Sequence, residues 1–455
     1  MKSFNKRELI LKGNMKKTIL LLSAPIMFNN FVQTIYNVVD TYWVSKLGAS
    51  EVAAMTLIFP VVFLIISLGI GMNVAGTAMV SQYVGGNQWE EASKISGQLL
   101  SLSFIISILF SILGFVSVPY VVSFMGATGD VFTHSYDYLR VIYWDMPLVF
   151  IFFVYTAIKQ GQGDTFTPMI INVGGVLLNI VLDPIFIFTL NLGIRGAAYA
   201  TILSRGVFIL YAIYTLFNKK SNIYLNKNRL VIKKDALLKI IKIGLPASVG
   251  QSVSAFGFII LNIFVISYGE TTLAAFGIGN KVTSLVTMPA LGIGSAIATI
   301  IGQNIGANQM DRVKEALKTS ISMTCALLMV GGFIMFLSSY NIMRFFIHDP
   351  EVILQGAAYC RLISISLPFL GIFQVLVGTF QGSGRTIYAM FMDIGRLWLL
   401  RIPMIVLFKH YTDWGSNSVW YAMILSNIFI CGLGYIMYSK GSWQGKAIHQ
   451  EETCI

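Results

Sequence analysis

The chain has 455 residues, 56% of them hydrophobic and 11% charged, with a formal net charge of +12 and a mean hydropathy of +0.73. So much apolar surface excludes an ordinary soluble domain of this length and describes an all-α polytopic membrane protein. The basic excess does not indicate nucleic acid, because Lys and Arg sit in short segments between apolar runs, where cytoplasmic loop bias accounts for them.

A helical span needs about 20 apolar residues at about 1.5 Å each. Gly, Pro and charge punctuation divides the chain into twelve such runs, at about 18–44, 52–82, 94–124, 132–159, 166–190, 195–217, 238–267, 273–303, 315–345, 352–380, 386–408 and 417–439. Lys16 and Lys17 before ILLLSAP resemble a signal peptide. The apolar run continues past Pro25 to Val44, which is too long for an h-region and predicts a retained first helix. The N-terminal tail carries Lys2, Lys6, Arg7, Lys12, Lys16 and Lys17. The segment between the sixth and seventh spans carries Lys219, Lys220, Lys227, Arg229, Lys233, Lys234, Lys239 and Lys242. Both belong on the cytoplasmic side, so both termini are expected in the cytoplasm of a cell whose inner (plasma) membrane holds the chain. The expected organisation is an N-lobe at 1–217, a basic cytoplasmic linker at 218–236, and a C-lobe with a short tail at 237–455.

The halves superpose at an offset of 221 positions. Pro25 meets Pro246, QYVGGNQ from Gln82 meets QNIGANQ from Gln303, and Tyr138 and Arg140 meet Tyr359 and Arg361. Pro147 meets Pro368, and QGQGDT from Gln160 meets QGSGRT from Gln381. Six spans per half place both halves in the membrane with the same sense, as two six-helix lobes related by a pseudo-two-fold along the membrane normal. This arrangement suits alternating access.

Duplication supplies an internal control. Polar residues common to both halves, such as Arg140 with Arg361, are scaffold candidates, and polar residues found in one half only are functional candidates. Asp40 meets Leu261, Asn179 meets Leu400, Asp183 meets Met404 and Thr201 meets Ala422. Asp40, Asp183 and Thr201 each lie roughly 6 to 7 residues from the outer edge of their spans, about 10 Å deep at helical rise, and Asn179 shares a face with Asp183. Pro184 leaves a carbonyl unpaired and predicts a bend beside Asp183. A lone carboxylate at mid-span costs about 2.5–3.5 kcal/mol on insertion scales, so two together call for a proton, a hard cation or water. The cluster is therefore a candidate binding site for a coupling ion, H+ or Na+.

VDTYWVSKLG with VAAMTLIFP, the QGQGDTFTP turn, NIVLDPIF, GIRGAAYAT and LGIGSAIATIIGQNIGANQ closely resemble the multidrug and toxic compound extrusion (MATE) family over essentially the whole chain. The resemblance implies two lobes about a V-shaped cavity. It also implies export of cationic or amphipathic compounds against an inward proton or sodium gradient. In the DinF-like branch it implies an N-lobe ion cluster at Asp40, Asn179, Asp183 and Thr201. NorM-like members carry a glutamate on helix seven, whereas QSVSAFGF has Ala255 there, which departs from a C-lobe cation site. Lys281, opposite Pro60 in the repeat, is a further charge within a span. Tyr36, Lys281, Tyr155 and Met169, with Trp144 and Phe153, are candidates for the cavity wall.

The expected partners are small cationic or amphipathic molecules and the bilayer, for a chain acting as a monomer with no cofactor besides the coupling ion. Two alternatives share some features. A lipid-linked glycan flippase of the same superfamily would have extra helices and a more cationic cavity. An intramembrane aspartyl enzyme would need a clustered catalytic set. The single histidines His134, His348, His410 and His449 and the unpaired spacing of Cys325, Cys360, Cys431 and Cys454 supply neither such a set nor a metal site, and no GxxxxGK[ST] loop is present.

Overall fold

The computed structural model describes residues 6–219 and 221–449. Of the positions used above, Lys2, Lys220 and Cys454 lie outside the described residues. A short helix α1 (Lys6–Lys12) precedes α2 (Met15–Ser45), α3 (Ala49–Gly85), α4 (Trp89–Phe124), α5 (Gly129–Gly161), α6 (Phe166–Pro184) and α7 (Gly193–Phe217). The second half holds α8 (Lys234–Ile266), α9 (Glu270–Gly306), α10 (Met310–Phe346), α11 (Pro350–Gly382), α12 (Thr386–Ile394), α13 (Ile402–Tyr411) and α14 (Asn417–Ser439). Helices are the form that satisfies every backbone amide within one segment, as a lipid environment demands.

Among the described residues, eleven helices are long and apolar enough to cross a membrane, α6 being counted with the wide-turn (π) segment Ile185–Thr189 that follows Pro184. The run expected at 386–408 forms α12, a second wide-turn segment Gly395–Arg401, and α13 without a break. It differs from the other eleven because Asp393, Arg396 and Arg401 lie inside it.

The repeat is visible in backbone detail. Asn87 and Asn308, 221 positions apart, both take a left-handed φ, of 61° and 59°. Each ends its helix by the same bonds: Gln88 N–H to the Tyr83 carbonyl at 2.8 Å, and Gln309 N–H to the Asn304 carbonyl at 2.8 Å. Gly163 and Gly384, in the QGxG turns, take φ of 81° and 77°, which explains a glycine at both.

The constant offset fails in the last two helices of each half. The wide-turn segments fall at different places in the repeat, and each takes up extra residues per turn. The string YA-x-ILS at 199–204 returns at 421–426, an offset of 222. Thr201 is therefore matched by Met423 rather than Ala422. Both are apolar, so the asymmetry at Thr201 stands.

By contacts the chain divides into two compact bodies, one of Phe28–Ser248, the other of Met1–Met27 with Val249–Ile455. These cuts differ from the division at the basic segment 218–236. They fall inside α2 and α8, at repeat-equivalent points just after Pro25 and Pro246. In the first body α3 lies close on α5, with Gly69 against Phe153 and Gly76 against Ala157, and Gly244 of α8 approaches Gly71. In the second, Ile10, Ile19 and Leu22 share a core with Ile297, Ile300, Phe373 and Phe380, and Arg312 Nε donates to the Ile10 carbonyl at 3.1 Å.

Close helix approach in the second body rests on glycine. A Cβ at Gly378 would strike the Gly294 carbonyl, whereas one at Gly277 would meet nothing within 4 Å. Gly378→Ala should cost about 1–3 kcal/mol by forcing α9 and α11 apart, and Gly277→Ala should leave thermal unfolding in detergent within error of the parent. Equal unfolding temperatures for the two variants would remove this account of the interface.

Candidate functional site

Four side chains from three helices meet in the first body. Asn179 on α6 donates through Nδ2 to Asp183 Oδ1 at 3.0 Å, one turn along the same helix. The same nitrogen lies 3.4 Å from Thr201 Oγ1 on α7. Thr201 Oγ1 also donates to the Ala197 carbonyl at 3.0 Å, and Tyr36 OH on α2 is 3.4 Å from it. Asp40, one turn after Tyr36, is buried and stands within Coulombic range of Asp183. The structure thus brings Asp40, Asn179, Asp183 and Thr201 to one place, with Tyr36 beside them.

Two oxygens of this group, Asn179 Oδ1 and Asp183 Oδ2, are buried without a hydrogen-bond partner. Buried acceptors left open are costly unless something answers them. Two carboxylates, an amide oxygen and a hydroxyl form an all-oxygen donor set, which suits a proton or a hard cation rather than a soft metal. Helical hydrogen bonding changes to the wider turn directly after Pro184, beside Asp183.

A cleft with about 440 Å3 of empty space, its open mouth included, adjoins the cluster. Tyr36, Asn179 and Thr201 line it together with Gln33, Phe152 and Phe208. Other suggested wall residues lie elsewhere. Tyr155 is wholly buried and receives a hydrogen bond from Thr215 at 3.3 Å. Phe153 fills the space over Gly69. Trp144 is 65% exposed beside Phe115, on an outward face. Met169 is half-buried and does not border this cleft.

Sequence reasoning missed an ion pair here. Arg205 on α7, one turn beyond Thr201, also lines the cleft and pairs with the buried Asp145 of α5. Both residues lie within spans, and a search for opposite charges on neighbouring spans would have found them. The strings YD at Tyr136–Asp137 and GQGD at Gly161–Asp164, which an intramembrane aspartyl enzyme would use, serve other contacts. Asp137 accepts from Arg195 at 2.6 Å, and Asp164 accepts from the Thr167 hydroxyl at 2.6 Å. Among the described residues no group of three or more His, Cys, Asp or Glu could hold a metal.

The MatE family model matches residues 25–185 and 246–407, once in each half. The chain belongs to the MATE family. It is 27% identical to the probable multidrug resistance protein YoeA of Bacillus subtilis, over 94% of this chain and 95% of that protein. A MATE protein solved in complex with MaL6 superposes with a TM-score of 0.91 at 28% identity, covering 97% of this chain and 98% of the other. A multidrug resistance MATE transporter of the MOP superfamily in an outward-facing conformation gives 0.90 at 28%, over 95% and 97%. The chain is thus a member of a multidrug efflux transporter family, embedded in a membrane, and not an enzyme.

The second half of this MATE chain is charged differently from the first. Its α8 has Ala255 and no acid beyond Asp235 in its first turn, yet a buried acid, Asp393 of α12, lies against Gly250 of that helix. Arg396 stacks over Phe373 at 4.3 Å. Arg401 is buried and donates to Ser426 Oγ at 3.0 Å and Asn427 Oδ1 at 2.9 Å. Lys281 is exposed on α9. Of the repeat pair, Arg140 donates to Tyr136 OH one turn back on its own helix at 2.7 Å, and Arg361 donates to Ser339 Oγ of α10 at 2.9 Å.

Breaking the first-half ion pair on one side leaves a guanidinium without its counter-charge. Asp145→Asn should lower stability by about 1–3 kcal/mol, less than the loss for a fully buried pair, because Arg205 retains a third of its exposure. Unfolding of the purified variant at a temperature equal to wild type would show that the pair carries no stabilising charge interaction.

Proposed function

We propose that this MATE protein is a secondary active multidrug antiporter. It exports cationic or amphipathic compounds by alternating access in exchange for protons or sodium, as a monomer in the cell's inner (plasma) membrane with both termini cytoplasmic. The observation that carries the reading is the joined set Asp183, Asn179 and Thr201 beside Asp40, with two buried oxygens unanswered. It occurs in one half only, so the fold does not require it for packing. The same four positions favour the DinF-like branch of the family. The name of the Bacillus subtilis relative supports multidrug compounds as the cargo.

In this mechanism the ionised cluster attracts a cationic compound to the adjoining cleft. Loading of a proton or sodium ion removes the repulsion between Asp40 and Asp183 and lets α2 and α6 draw together beside the weakened helix at Pro184. Ion and compound favour different packings of one lobe, so each lowers the affinity for the other. Asn179 holds one Asp183 oxygen in place and leaves the other free for the ion.

Reconstituted protein tested with separately imposed pH and sodium gradients identifies the driving ion. Asp40→Asn and Asp183→Asn should each abolish gradient-driven efflux while the protein remains in the membrane, and drug resistance at the wild-type level in a well-expressed Asp40→Asn strain would refute the coupling role. Equilibrium binding of a fluorescent cationic drug should weaken as pH is lowered, because protonation neutralises the acids that attract it. If sodium is the driver, added sodium should weaken it at fixed pH. Affinity indifferent to both ions in the wild type would remove the competition from the mechanism.

A further inference from the structure

The ion pair Asp145–Arg205 has a counterpart in the other half, and the counterpart is neutral. At the offset of 221, Asp145 corresponds to Ser366, next to the matched prolines Pro147 and Pro368. In the YA-x-ILS string, Arg205 corresponds to Asn427. Ser366 and Asn427 meet as Asp145 and Arg205 do, with Asn427 Nδ2 3.4 Å from Ser366 Oγ. The fold therefore closes this helix contact without an ion pair in one half, where Asn427 also accepts from Arg401, so packing does not demand the Asp–Arg pair in the other.

The position of Arg205 supplies a reason. It borders the cleft beside Thr201 and Asn179, with Phe152 and Phe208 as aromatic walls. Its side chain keeps 33% exposure while Asp145 keeps 4%. The second carboxylate oxygen of Asp145, Oδ1, has no partner, so the pair is held through one oxygen rather than as a two-bond fork. A guanidinium carries more N–H donors than this contact uses. Asp145 thus holds Arg205 through one contact, and the guanidinium keeps donors to spare at the cleft it lines.

We propose that Arg205, oriented by Asp145, is a carboxylate subsite of the cleft, which makes the preferred cargo zwitterionic: an aromatic body with a basic group toward Asp40 and Asp183 and an anionic acceptor on Arg205. The subsite rests on the drug-binding role assigned to this cleft above. A carboxylate gains a charge-assisted hydrogen bond there that its ester cannot match. The carboxylates of Asp40 and Asp183 oppose a simple anion, so the cleft selects molecules that carry both charges.

The test compares binding of two dyes to purified protein: a xanthylium dye with a free carboxylate and the methyl ester of the same dye. The variant is Asp145→Ser with Arg205→Asn, which installs a short neutral pair like that of the other half. It removes one charge of each sign, so the net charge of the lobe is the same and only the local donor is lost. The ratio of free-acid to ester affinity should fall about tenfold from wild type to this variant. Arg205→Lys, which keeps the ion pair but not the planar fork, should lower the ratio by a smaller factor and serves if the double variant does not fold. An affinity ratio equal in wild type and variants, with both dyes bound, overturns the carboxylate subsite and leaves the cleft as a drug site. Wild-type protein that binds neither dye overturns both.

Discussion

Hydrocarbon offers no water to solvate a charge or to complete a hydrogen bond, so a polar group within a span must be answered by another group of the same protein. Much of the arrangement described above follows from that requirement. Arg401 is answered by Ser426 and Asn427, and Arg205 by Asp145. Thr201 and many other span hydroxyls turn back to carbonyls of their own helices. Several buried polar atoms are left without a partner, and those of Asn179 and Asp183 are distinguished by lying in one cluster with Thr201 beside Asp40, where a bound ion can complete the set.

The same requirement made most of the fold legible. Helix is the available form for an isolated span, and run length and punctuation then set each helix. The predicted run 417–439 coincides with Asn417–Ser439, and the run at 166–190 with Phe166–Thr189. Shared turns such as GGNQ and GANQ fixed the repeat because a left-handed residue is needed at both. The membership of the two bodies was not legible. Nothing local marks Ile10 and Ile19 as partners of Ile297 and Phe380, since that choice is made by packing between segments far apart in sequence. The wide turn at Gly395–Arg401 also has no proline just before it to announce it, unlike the one that follows Pro184.

The comparison of halves picked out Asp40, Asn179, Asp183 and Thr201 because each carries an oxygen where its counterpart carries hydrocarbon. It missed Asp145 and Arg205 for a physical reason. Their charges cancel, and their counterparts Ser366 and Asn427 are polar as well, so neither appears as an intrusion into an apolar position. The difference lies in charge rather than polarity, and it becomes clear only when the two residues are seen to touch. Tyr36 borders the cleft, whereas Tyr155 is buried away from it. Composition tells that an aromatic belongs in a span but not which neighbour its ring meets.

The interrupted helix of the second half bears on how the chain is made. Asp and Arg near the centre of a span each oppose insertion by about 2.5–3.5 kcal/mol, while each Leu, Ile or Phe favours it by about 0.3–0.6 kcal/mol. With Asp393, Arg396 and Arg401 in one run, the segment 386–411 does not enter lipid favourably by itself as the ribosome releases it. Its partners Ser426 and Asn427 lie on α14, the next span to emerge. Insertion of these two spans as a hairpin, with the arginine already met by its neighbour, resolves the difficulty. The bonds of Arg401 to Ser426 and Asn427 thus tie the interrupted helix to α14, and truncation just before Asn417 would leave that buried guanidinium without these partners.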